Sequence, residues 1–72
     1  MSDTRAILRA LVAERRDPPA SDDDSLELDS LGLVELVEAV EARFELRVAA
    51  RDVVPENWDT IARLAAYVDG RR

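Results

Sequence analysis

The chain contains no cysteine, no histidine and no lysine, and only two of its 72 residues are glycine. Without a thiol there is no thiolate nucleophile, no disulfide and no zinc–thiolate site. Without an imidazole there is no base that titrates near neutral pH. That inventory argues against serine-hydrolase and metalloenzyme chemistries, so no catalytic residue and no metal is expected. The lack of lysine, with all ten bases arginine, reads as lineage bias and carries no functional weight. No apolar run approaches the roughly 20 residues that span a bilayer, and Met1-Ser2-Asp3-Thr4-Arg5 does not read as a signal peptide. A cytoplasmic location with no membrane partner is therefore the expectation.

A chain of 72 residues suggests one domain over 1–72. It buries only about 60% of the surface it exposes when unfolded, and its expected stability is about 3–5 kcal/mol. Such a core has little room for an enclosed catalytic pocket. If the protein takes part in chemistry, it should present a group to larger partners. The net charge of −6 is unevenly placed: from Asp17 to Glu45 there are ten acids against the single base Arg43, while the remainder is net positive. An acidic surface repels phosphate backbones and anionic lipid, so nucleic acid is not an expected ligand, and basic patches on proteins are.

In chain order, Thr4 to Arg16 reads as a first helix, capped by Ser2 or Asp3, with an apolar stripe of Ile7, Leu8, Leu11 and Val12. Arg15 and Arg16 suit its C-terminal end, and Asp17-Pro18-Pro19 stops it. The loop from Pro18 to Asp29 exceeds the usual connection of about 4–6 residues, which points to function or disorder. Leu26 and Leu28 should pin its second half to the core, leaving Asp22-Asp23-Asp24 in solvent. The acids do not form an EF-hand, because Leu26 falls where an oxygen ligand belongs and Glu27 where glycine is required.

Leu31 to Glu45 is the clearest element. Leu33, Leu36, Val37, Val40 and Phe44 follow one helical face, and Glu35, Glu38, Glu41 and Glu45 form an acidic ridge opposite. Leu31 and Val34 lie beside that ridge, an arrangement suited to docking in which acids steer and apolar groups supply contact. Leu46-Arg47-Val48 reads as a short extended link. Ala50 to Val54 can make one helical turn before Pro55 stops it, though five residues cannot hold a helix unaided. Pro55 to Trp58 reads as a turn anchored by its tryptophan. Asp59 then caps a last helix, Thr60 to Asp69, with Ile61, Leu64, Ala65 and Val68 on its core face and Gly70 as its stop. The predicted fold is all-α: a small antiparallel bundle of three main helices plus one short helix, with a long loop between the first two.

Leu28-Asp29-Ser30-Leu31 stands where the loop meets the central helix. Taken alone, it is a helix cap, since serine and aspartate both satisfy the orphan N–H groups of a first turn. The loop before it, the two-faced helix after it, and the absence of any cysteine or histidine give the hydroxyl a second possible use. Gly32, in the first turn, would leave the approach to Ser30 open.

The order helix, long loop, Asp29-Ser30-Leu31, acidic helix with Glu35-Leu36, short helix and final helix resembles the acyl and peptidyl carrier proteins, over essentially the whole chain. The resemblance implies that Ser30 carries phosphopantetheine, donated covalently by coenzyme A through a phosphopantetheinyl transferase, with Asp29 and Leu31 completing the motif. The arm's terminal thiol would then hold acyl or aminoacyl groups as thioesters, in a carrier that is not itself an enzyme. Leu31, Val34, Glu35, Glu38 and Glu41 match positions that face transferases and synthases. Leu36, Val40, Phe44, Ile61 and Val68 match positions where some carriers shelter cargo, although periodic apolar stripes are more often plain core. The implied partners are the transferase, an acyl- or aminoacyl-loading enzyme, and a downstream synthase or transferase with a basic docking patch.

Two departures bear on the pathway. Gly32-Leu33 follows the motif where many fatty-acid carriers have an acid, and Glu38 stands where those often have an apolar residue. Val53 to Thr60 looks more like freestanding carriers of polyketide or nonribosomal peptide type pathways than like housekeeping fatty-acid carriers. Met1 at the start and Arg71-Arg72 soon after the last helix suggest a freestanding chain over a domain cut from a larger synthase, and a monomer is the expected state. The competing readings are a housekeeping fatty-acid carrier and an unmodified helical interaction module in which Ser30 is only a cap.

Overall fold

Four α-helices and one turn of 3₁₀ helix make up the regular structure of residues 3–71, the part of the chain that the computed structural model describes. The helices are α1 (Thr4–Ala13), α2 (Ser30–Phe44), α3 (Pro55–Trp58) and α4 (Ile61–Arg71). No strand occurs among the described residues, only an isolated antiparallel bridge between Ser25 and Thr60. The expected all-helical architecture is thus observed.

In α1 the stripe buries Leu8 and Val12, with Leu11 packed against the same core. The helix ends at Ala13, three residues short of the predicted Arg16. The backbone tightens there, with both Arg15 N and Arg16 N donating to Val12 O, ahead of the prolines that forbid continuation. Arg15 still serves that end, because its Nη1 donates to Leu11 O at 2.9 Å. At the other end Asp3 makes no side-chain cap, contrary to expectation, and Ser2 lies outside the described residues. Thr4 is buried instead, and its hydroxyl donates to Asp69 Oδ1 at 2.6 Å, tying the start of α1 to the end of α4 in antiparallel fashion.

Helix α2 buries Leu36 and Val40 and packs Leu33, Val37 and Phe44 against the core, the face that periodicity picks out. It ends at Glu45, which adopts the left-handed conformation (φ 53°) and donates its N–H to Glu41 O. The segment after it departs from expectation. Only Ala50–Asp52 is helical before Pro55, as a 3₁₀ turn, and Pro55 opens α3 where it was expected to stop a helix. At the first helical position proline's missing N–H would have had no partner, and its fixed φ suits the helix. Trp58 is the expected anchor: it is buried, and its Nε1 donates to Asp52 O at 3.1 Å.

Helix α4 packs on α1 and α3, and α1 packs on α2. Its core face is Ile61, Leu64, Ala65 and Val68, all buried. Its cap is Thr60, whose Oγ1 accepts from Arg63 N at 3.1 Å, and not Asp59. Asp59 accepts instead from the Ser25 hydroxyl at 2.8 Å, 34 positions away. Gly70 does not stop the helix, which runs on to Arg71; a Cβ there would meet nothing within 4 Å, so the site tolerates helix.

The long loop is fastened. Leu26 is fully buried, Leu28 packs against the core, Leu26 N donates to Asp59 O, and Ala62 N donates to Asp22 O. Asp22 is not left in solvent: its carboxylate accepts from Arg9 Nη1 at 2.7 Å and Arg5 Nη1 at 3.1 Å. Arg5 and Arg9 are one helical turn apart on α1, so a single carboxylate can reach both. Those guanidinium hydrogen bonds, Arg9's foremost, hold the Asp22 carboxyl below its ordinary value. Asp23 and Asp24 are exposed as expected.

Candidate functional site

Asp29 leaves the loop in extended conformation (φ −81°, ψ 178°) and caps α2: its carboxylate accepts from Gly32 N at 2.7 Å, and its carbonyl accepts from Leu33 N at 2.9 Å. Ser30 is the first helical residue and is exposed. The cap role considered for Ser30 therefore belongs to Asp29. Among the described residues none takes a hydrogen bond from the Ser30 hydroxyl. The oxygen thus sits on a regular helix, open to solvent and not required by the backbone. A covalent substituent there would displace no internal bond and no packed group, so the position fits a tethered arm.

Gly32 has a different use from the one expected. A Cβ built on it would lie 3.0 Å from Asp29 Oδ1 and 3.6 Å from Leu28 Cδ2. Its missing side chain leaves room for the cap carboxylate to close on the helix.

Along α2, Leu31 and Val34 are the exposed large hydrophobics, at 69% and 54%. Glu35 and Glu38 are exposed beside them, so these four form one accessible face near Ser30. Glu41 departs from the predicted ridge: it is half-buried, and its Oε2 accepts from Val48 N at 2.8 Å, holding the chain that leaves α2. Glu45 is exposed but belongs to the helix end. Of the five residues matched to cargo shelter, Leu36, Val40, Ile61 and Val68 are 0–1% exposed and Phe44 is half-buried. They form part of the packed core.

A cleft of about 450 Å³ opens on the other side of Ser30, between the end of α1, the loop and the first turns of α2. Val12, Leu28 and Leu36 line it with apolar surface, and Arg15, Arg16, Asp17, Glu27 and Asp29 supply charge. Sequence reasoning did not find it. It is made by loop residues folding back on a helix end, and no periodic signal marks that meeting.

A helical bundle that displays an exposed hydroxyl at a helix start is a scaffold suited to presenting a group. Residues 5–68 match the family described as the phosphopantetheine attachment site, and the chain belongs to that family. Domains of this family are the site of covalent phosphopantetheine attachment; they are carriers rather than catalysts, and they work with phosphopantetheinyl transferases and further partner enzymes. No solved structure matches the chain significantly. No helix among the described residues is long and apolar enough to cross a membrane.

Proposed function

We propose that Ser30 is the attachment residue and that residues 1–72 work as a carrier domain for acyl or aminoacyl thioesters. The observation that carries this is the exposed Ser30 hydroxyl at the start of α2, released from capping by Asp29. In the attachment step the Ser30 oxygen forms a bond to the phosphorus of the phosphopantetheine group. The phosphoanhydride bond of coenzyme A breaks, the nucleotide leaves, and the serine proton passes to the transferase. Once attached, the arm supplies a thiol that this cysteine-free chain lacks.

The chain's own residues then do two things. Asp29 holds the first turn of α2 in register beneath the arm. Leu31 and Val34 offer contact while Glu35 and Glu38 attract basic patches on the transferase, the loading enzyme and the downstream synthase. Glu41 contributes charge to that face but is committed to Val48. A polyketide or nonribosomal peptide type pathway is the preferred setting, supported by Gly32-Leu33 after the motif and by the Val53 to Thr60 stretch.

The test is incubation with coenzyme A and a broad-specificity phosphopantetheinyl transferase, followed by intact mass. A gain equal to one phosphopantetheine, abolished by Ser30→Ala, is expected. No gain, or the same gain in Ser30→Ala, overturns the assignment.

A further inference from the structure

We propose that the cleft between the end of α1, the loop and the first turns of α2 is a groove that receives the pantetheine chain of the arm. The inference rests on the reading of Ser30 as the attachment residue. The cleft's volume of about 450 Å³ falls within the ~300–1,000 Å³ typical of small-molecule sites.

Its chemistry suits this guest. Pantetheine is a neutral chain of amides, a hydroxyl and a dimethyl-branched carbon. It needs an apolar floor with hydrogen-bond donors and acceptors along the edges. Leu28 supplies most of the apolar surface, with the edges of the buried Val12 and Leu36 behind it. Arg15 and Arg16 each direct one N–H to a backbone carbonyl, Leu11 O and Asp17 O respectively, and the rest of each guanidinium can donate to a guest. Asp17 and Glu27 provide acceptors on the same lining. With carboxylates balancing the guanidinium groups, the lining favours a neutral polar guest over a free anion.

Position makes the groove effective. Ser30 itself does not line the cleft, but its neighbour Asp29 and Gly32, two positions on, both do, so a tether at Ser30 starts close to the cleft. Attachment this close gives an effective concentration in the millimolar range, and a groove with only millimolar intrinsic affinity would be filled roughly half of the time. Val40, Ile61 and Val68 line no part of this cleft and are each 0% exposed. The arm would thus rest on the α1 side of Ser30.

The experiment compares amide NMR spectra of the isotope-labelled chain before and after loading with coenzyme A, with intact mass confirming the modification. Shifts are expected at Val12, Arg15, Arg16 and Leu28 as well as around Ser30. A nitroxide on the arm's thiol should broaden the same amides more than those of α3. Arg15→Glu with Arg16→Glu should reduce the Val12 and Leu28 shifts while the chain still gains mass. A chain that gains no mass fails the attachment reading and takes the groove with it. A chain that gains mass but shifts only residues 29–32, or shifts Val40, Ile61 and Val68 instead, keeps the attachment and overturns the groove.

Discussion

Asp29 Oδ1 accepts a hydrogen bond from Gly32 N at 2.7 Å and would lie only 3.0 Å from any Cβ at position 32. The two residues are therefore coupled, the cap needing the space that the glycine leaves. Asp29→Ala should lower stability by about 0.5–2 kcal/mol through loss of the cap. Gly32→Ala should gain little in the native chain, because helix propensity, about 0.8–1.0 kcal/mol in alanine's favour, is offset by the crowded carboxylate. In the Asp29→Ala background the same substitution should show its full gain. Denaturant unfolding of the four chains measures the coupling, and additivity within about 0.3 kcal/mol would contradict it.

Ser30→Ala should leave stability within about 0.5 kcal/mol of the native chain, as befits an exposed residue with no internal bond. Modification should be lost entirely. The interaction-module reading, in which serine is the cap, requires instead a loss of about 0.5–2 kcal/mol and intact partner function. Thermal unfolding and intact mass on one pair of samples separate the two.

The acidic residues of α2 should divide by role. Charge reversal at Glu35 and Glu38 should slow transfer to partner enzymes, most at low ionic strength, with little change in unfolding. Glu41→Gln should cost about 1–2 kcal/mol, because it weakens a charge-assisted bond to the Val48 N–H. Rates insensitive to ionic strength would remove the steering argument, and a stable Glu41→Gln would show that Val48 finds another acceptor.

Two titrations follow from the packing. The Asp22 carboxyl is held below its ordinary 3.8 by the guanidinium groups of Arg9 and Arg5, so its contribution is present above that value and lost as pH falls through the lower native value. The melting temperature of Asp22→Asn should therefore lie below that of the native chain at neutral pH and converge with it below pH 3.8. Tyr67 moves the other way. Burial first, then its hydrogen bond to Asp52 Oδ2 at 3.0 Å, raises the phenol above 10.0. The native chain should show its phenolate absorbance only above that pH, and the stability Tyr67 contributes should fade as pH rises through the native value. A midpoint at or below 10.0 would contradict the burial of the phenol together with its contact to Asp52.

The helical faces were legible because burial repeats with the helix: Leu36, Val40, Ile61, Leu64 and Val68 could be placed from spacing alone. So could the exposed pair Leu31 and Val34. What spacing could not supply is every choice that a distant partner decides. Asp59 and Thr60 are both competent caps, and the Ser25 hydroxyl takes Asp59 out of contention. Glu41 belongs to the acidic ridge on a helical wheel, but the chain beyond α2 turns back and places Val48 N beside it. Asp22 looks like one acid in a solvated run until the loop brings it over Arg5 and Arg9. The cleft beside Ser30 is missing from any one-dimensional reading for the same reason, since Val12 and Leu28 meet only in the folded chain.

The fastening of the long loop has a mechanical corollary. Asp22 is bonded to α1, and Ser25 and Leu26 are bonded to Asp59 in the link between α3 and α4, only a few residues before Ser30. The serine is therefore mounted on the body of the protein and does not ride on a tether of its own. Any chain hung from it pivots about a stationary origin, and the space that chain can sweep is set by its own bonds and by the walls around the mount.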